Sequence, residues 1–124
     1  MPIDDAMIDL ISQYVECSTY EECKLFLQKH TALIDSEVAD SLIEKAFMIW
    51  NEHPHAIAER FVRNGQILQY LLDLRKVSNG QQDITLFFYR IQNDDKSFLI
   101  MFENQCKEIV SRIDAYWKRQ ADAK

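Results

Sequence analysis

The stretch from Pro54 to Val77, PHAIAERFVRNGQILQYLLDLRKV, decides the fold. Pro54 suits the first turn of a helix, where a missing N–H costs nothing. The second half, Ile67 to Leu74, is apolar on nearly every side, and a helix that is hydrophobic all round is buried by several neighbours. The first half differs: Ala56, Ile57 and Ala58 stand among Glu59, Arg60, Arg63 and Asn64, leaving only a narrow apolar stripe. One end therefore reads as core and the other as rim. A rim with small residues and one larger aliphatic suits a docking surface; the competing reading packs Ile57 inward with Phe61. Gly65 in the middle costs about 1 kcal/mol of helix propensity relative to alanine. Close approach of a neighbouring backbone is the simplest compensation.

Upstream of this helix, Ala39, Leu42, Ile43, Ala46, Phe47 and Trp50 form a face of 3.6-residue period, with Asp35 or Ser36 as cap. That helix ends at Asn51-Glu52-His53, because a residue before proline is pushed out of helical geometry. Ser18 to Glu21 and Thr19 to Glu22 both fit a capping box, starting a helix with the stripe Cys23, Phe26, Leu27 and His30. His30 reads as a packed histidine at the core edge, and Thr31 to Ile34 as a short loop. Ile3, Met7, Leu10, Ile11 and Tyr14 predict a first helix over 4–16, with Asp4 and Asp5 at its positive end.

Downstream, Asn79-Gly80 reads as a helix stop with Gly80 as C-cap. Asp83 is expected to cap the segment ITLFFYRI. Its composition would suit a strand, yet Ile84, Phe87, Phe88 and Ile91 follow the i, i+3, i+4, i+7 template, and a lone strand would have no partner. Asn93-Asp94-Asp95 reads as turn and cap. A last helix over 96–121 carries the seam Phe98, Phe102, Cys106, Ile109, Ile113 and Tyr116, then outruns its apolar stripe. The expectation is an all-α, six-helix bundle with a long C-terminal helix, forming a single domain over 1–124.

Composition agrees. The chain has 124 residues, only two glycines and two prolines, and is poor in the residues that make tight hairpins. A net charge of −6 argues against a nucleic-acid surface. Asp4, Asp5 and Asp9 interrupt any signal peptide, and no apolar run is long enough to span a membrane. Three cysteines without metal-like spacing read as reduced thiols of a cytoplasmic protein.

Chemistry-bearing motifs are sparse. The chain lacks a phosphate-cradling glycine loop, HExxH, CxxC and G-x-S-x-G. Glu52-His53-Pro54-His55 is the best metal-like cluster, but no third ligand is identifiable. Cys17 and Cys106 have no identifiable histidine base. Lys107, Glu108, Arg112 and Asp114 read as a solvated helix face. No catalytic residue, cofactor or metal is expected.

The residues do carry a resemblance. Phe26-Leu27, Ala39, Leu42, Trp50, Ala56-Ile57 and Gln69-Tyr70-Leu71-Leu72-Asp73-Leu74, followed by Phe87-Phe88-Tyr89-Arg90-Ile91 and Met101-Phe102-Glu103-Asn104, occur in the order of one family. The pattern resembles the middle domain of the cell-division-cycle thirty-seven kinase co-chaperones, from about Tyr20 onward. The resemblance implies a helical bundle leading into one long helix. It implies binding to the N-terminal ATPase domain of the ninety-kilodalton heat-shock chaperone, near its nucleotide lid, while client protein kinases are loaded. It places Ala56, Ile57 and Arg60 at the chaperone contact. Just before Tyr20, the better-known members have a hydrophobic pair followed by two basic residues, whereas this chain has Glu16, Cys17, Ser18 and Thr19. The arginine that would approach the chaperone's catalytic site is therefore absent. The family's N-terminal kinase-binding coiled coil is also missing, so the chain reads as an excised domain or a shortened relative. A helical adaptor for another partner is the alternative, with a small helical enzyme behind it.

Overall fold

The starts of the first three helices are fixed by local hydrogen-bond devices that the sequence encodes. In the computed structural model, which describes residues 3–77, 82–94 and 96–123, α1 (Asp5–Tyr14) is capped by Asp4, whose carboxylate accepts the Met7 N–H at 2.9 Å. α2 (Tyr20–Lys29) opens on a full capping box. Thr19 Oγ1 accepts the Glu22 N–H at 3.1 Å, and Glu22 Oε1 accepts the Thr19 N–H at 3.2 Å. Of the two boxes in the sequence, Thr19–Glu22 forms, and the Ser18 hydroxyl reinforces it by donating to the same Glu22 oxygen at 2.9 Å. These donors, Ser18 first, hold the Glu22 carboxyl below its ordinary pKa. A short 3₁₀ turn (Thr31–Leu33) leads to α3 (Ser36–Ile49), where Asp35 is the cap and accepts from the Glu37 and Val38 N–H groups.

α4 (His55–Val77) is the central helix. Ile67, Leu68 and Leu71 are completely buried, as the all-round hydrophobicity of its second half requires. α3 packs along it most closely. The contact explains Gly65: a Cβ there would stand 3.1 Å from Leu42 Cβ and 3.2 Å from the Ala39 carbonyl oxygen. The neighbouring backbone does approach, and the lost helix propensity is offset by the packing it permits.

α5 (Gln82–Tyr89) is helical, as its apolar period predicts, and a π-helical turn (Arg90–Asp94) follows before α6 (Lys96–Asp122). Among the described residues there is no strand. The proposed stop at Asn79-Gly80 lies outside the described residues, as does Asp95. Asn93 and Asp94 belong to the π-helical turn. One expectation is corrected: Asp83 is not the residue outside the helix that caps it. It stands within the first turn with its carboxylate buried, and Arg75 Nε donates to it at 2.7 Å. The cation at the end of α4 neutralises a carboxylate that burial would otherwise penalise.

The core has two parts. The larger gathers Tyr14, Leu27, Leu42, Leu71, Phe88 and Phe102 with their neighbours. Around Tyr70 the rings of Phe98 and Phe102 sit edge-on at 5.9 and 5.5 Å. The smaller gathers Ala46, Ile49, Trp50, Ala58, Val62 and Ile113, and Phe61 and Cys106 pack on both. Near its end α6 is pinned to α3, where the Trp117 indole N–H donates to the Phe47 carbonyl at 2.9 Å. Residues 118–123 beyond it are exposed, so this helix does outrun the core.

Leu71→Ala should lower stability by roughly 2–5 kcal/mol in urea unfolding, the cost of a cavity at a fully buried leucine. A change under about half a kcal/mol would show that α4 is not the centre of the core.

Candidate functional site

The first half of α4 carries Arg60, Arg63 and Asn64 on one face, at i, i+3 and i+4. They converge on the connection between α1 and α2. Arg60 Nε donates to the Val15 carbonyl at 2.7 Å. The Arg63 guanidinium forks onto two successive carbonyls, Nη2 to Cys17 and Nη1 to Ser18, each at 2.9 Å. Asn64 is fully buried. Its Nδ2 donates to the carbonyls of Tyr14 and Cys17 at 3.2 and 3.1 Å. Its Oδ1 accepts from Arg63 and from the Cys23 thiol. The Tyr14 hydroxyl closes the network by donating to the Asn64 backbone carbonyl at 2.8 Å. The polar residues that the sequence reading placed on a rim are thus partly interior. Asn64 is a buried hub, and only Glu59 of that set is fully at the surface. The signal was present in the spacing, since three hydrogen-bonding side chains on one helical face suit a partner with exposed carbonyls.

Holding this connection shapes an open groove of about 760 Å³ between α4 and α6. Ala56, Glu59, Arg60 and Arg63 form the α4 wall. Glu103, Cys106, Lys107, Val110 and Ser111 form the α6 wall, and Ser18 and Tyr20 complete it from the start of α2. The Arg63 guanidinium also lies over the Tyr20 ring, 5.5 Å from its centroid. Burial, with Glu103 beside it, pushes the Tyr20 phenol well above its ordinary pKa.

The three residues singled out for a partner contact divide. Ala56 is exposed and lines the groove, and Arg60 lines it while anchored through Val15. Ile57 is half-buried beside Phe61 against the smaller core cluster, and is not part of the groove lining. Ala58, read as part of the same small-residue stripe, is core. The structure does not bring the Glu52–His55 cluster together as ligands. The His55 ring stacks flat on Trp50 at 3.6 Å, and among the described residues no group of three His, Cys, Asp or Glu could hold a metal ion. His30 is half-buried with its ring 4.7 Å from that of Phe26. Burial pushes the thiols of Cys23 and Cys106 up to about 12 and raises Cys17 as well. All three are held as neutral thiols, without the thiolate that nucleophilic chemistry needs.

These features define the class: an all-helical domain with an open groove of mixed charge between its two longest helices. Residues 13–122 match the family described as the Cdc37 Hsp90 binding domain, and the chain belongs to that family. Hsp90 co-chaperone Cdc37-like 1 of Mus musculus is 24% identical over 106 residues, covering 84% of this chain and 32% of the relative. The Homo sapiens protein of the same name shows the same figures. Hsp90 co-chaperone Cdc37 of Drosophila melanogaster is 26% identical over 106 residues, covering 84% of this chain and 27% of that protein. The chain spans about a third of the length of the curated relatives it matches. No helix among the described residues is long and apolar enough to cross a membrane.

Asn64→Ala removes a buried hub and strands the carbonyls it served, so it should cost roughly 1–3 kcal/mol in thermal or urea unfolding. An effect within about 0.3 kcal/mol would mean that water takes over those contacts. Thiol titration at pH 8 makes a separate check. Cys23 and Cys106 should react far more slowly in the folded chain than in urea, and equal rates would contradict the burial that suppresses their thiolates.

Proposed function

We propose that this chain is an Hsp90-binding co-chaperone domain that docks through the start of α4. Ala56, Ile57 and Arg60 sit at the contact, and the domain supports loading of client protein kinases, which other parts of the co-chaperone engage. In this reading it is a single domain without catalytic activity that works in the cytoplasm. The observation that carries the proposal is the family match over residues 13–122. The exposed groove beginning at Ala56 supports its placement. The small side chain of Ala56 lets a partner come close to the α4 backbone. Arg60 is held by Val15 through Nε alone, so the rest of its guanidinium is pre-oriented for a partner at little further entropic cost. Ile57 contributes its exposed edge, while its other side fixes the helix to the smaller cluster. Ser18 and Thr19 stand where basic residues occur in better-known members, so the proposal covers binding and not the arrest of ATP turnover.

The test is calorimetric titration of the chain into the purified N-terminal ATPase domain of Hsp90. Binding should be saturable, and Ala56→Asp should weaken it at least about tenfold, equivalent to about 1.4 kcal/mol. The variant should melt with the wild-type chain, because Ala56 is exposed. Absence of binding by the wild type overturns the reading. Normal binding by Ala56→Asp moves the contact off this end of α4. Ile57→Asp should weaken binding and also lower the melting temperature, because the residue is half-buried.

A further inference from the structure

The cations around the groove do not have the same donors to spare. Arg63 directs Nε and both Nη nitrogens at acceptors of its own chain, the carbonyls of Cys17 and Ser18 and the side chain of Asn64. It builds the wall and leaves little for a partner. Arg60 commits only Nε, to Val15, and its Nη2 stands 3.8 Å from Glu16, a carboxylate that is 74% exposed. Such a pair is weak and readily exchanged. Lys107 faces the same groove from α6, and among the described residues its ammonium has no carboxylate within ion-pair distance. The neighbouring α6 cations differ: Arg112 is paired with Glu108 and Lys118 with Asp114. Groove cations outnumber groove carboxylates by Arg60, Arg63 and Lys107 to Glu59 and Glu103, in a chain of net charge −6. The lining itself thus carries one net positive charge, with Glu16 beside Arg60 just outside it.

We infer that the groove receives a single carboxylate side chain of the partner between Arg60 and Lys107, with an apolar neighbour of that carboxylate resting on Ala56 and Val110. The inference rests on the groove being the docking face, and it assigns Lys107 as a specificity-determining residue. Glu59 and Glu103 disfavour a second carboxylate, so the occupant is one acid in an apolar context and not an acidic run. Lys107 supplies three donors that the fold leaves unused, and Arg60 supplies a pre-anchored guanidinium opposite. Charge complementarity at this position acts on association rate and on partner choice.

The experiment uses the whole chain and two probes. In titrations into the Hsp90 N-terminal domain, Lys107→Glu should weaken binding at least about tenfold, and raising the salt from about 0.05 to 0.5 M should weaken the wild type several-fold. Lys45→Glu is the control. It makes the same change in net charge on the exposed face of α3, away from the groove, and should change affinity less than about twofold. Equal effects of the two variants, or no effect of Lys107→Glu, overturn the carboxylate seat while leaving the chaperone reading standing. If the wild type does not bind Hsp90 at all, that reading falls, and the second probe decides the inference. It consists of capped Leu-Asp-Leu and Leu-Lys-Leu tripeptides, titrated into isotope-labelled chain and followed by amide shifts. Movement at Ala56, Lys107 and Val110 with the aspartate peptide alone supports the seat. An equal response to both peptides, or to neither, overturns it.

Discussion

The structure depends on how α4 satisfies the backbone of the α1–α2 connection. A connection pressed against a core carries carbonyls that water cannot fully reach, and each must find a partner. Here Arg60, Arg63 and Asn64 take the carbonyls of Tyr14, Val15, Cys17 and Ser18 in one row. Made intact, each such bond contributes modestly, but breaking one partner leaves a buried group stranded, so the network is costly to disturb. Arginine suits the two forked contacts because its planar donors meet successive carbonyls, which a lysine ammonium cannot copy. The same row seats Tyr14, and therefore α1, and it holds Cys17 and Ser18, the two residues before the Thr19 cap of α2.

From that row the rest follows along α4. One residue beyond Asn64, Gly65 admits the α3 backbone to contact distance, so polar clamp and closest helix packing are adjacent steps on one helix. From two to six residues further on, Ile67, Leu68 and Leu71 enter the apolar interior. Along its length the helix meets apolar side chains of the smaller cluster through Ala58 and Val62, carbonyls of a loop through Arg60, Arg63 and Asn64, the backbone of a neighbouring helix at Gly65, and then the larger apolar core. This order explains why its hydrophobic pattern is so uneven, and why a single averaged amphipathic face describes it poorly.

Much of the fold is legible in the sequence because it is written in local codes. The Asp35 cap (offered with Ser36), the Thr19–Glu22 box (offered with Ser18–Glu21), the apolar period of α5 and the anomalous Gly65 follow from spacing, and Asp4, placed at the start of α1 for the helix dipole, proves to be its cap. What escaped is non-local polarity. Asn64 resembles a surface residue until the carbonyls it serves, about fifty positions earlier, are known. Asp83 resembles a cap until Arg75 is placed against it. The groove was half legible: Ala56 and Arg60 were marked from α4, but its second wall lies on α6, where Lys107 read as part of a solvated face. Hydropathy carries no information about which solvated charge faces a concavity, so that wall needed the packing of α6 on α4.

The two walls also differ in mechanical character, and this bears on recognition. Arg63 is locked by its fork and by the Tyr20 ring, and Arg60 by Val15, so the α4 wall is pre-organised and loses little freedom when a partner arrives. The α6 wall presents Lys107 as a flexible tether over the half-buried Val110 and Cys106. In the proposed docking, the rigid wall would fix register and the Lys107 charge opposite it would find its counter-ion after contact. The residues that fix the groove are therefore those that fix the fold, whereas Ala56, Lys107 and Ser111 stand at the surface with few structural duties. Within one scaffold, partner preference can then shift through the surface set while the Arg60–Arg63–Asn64 row holds the shape constant.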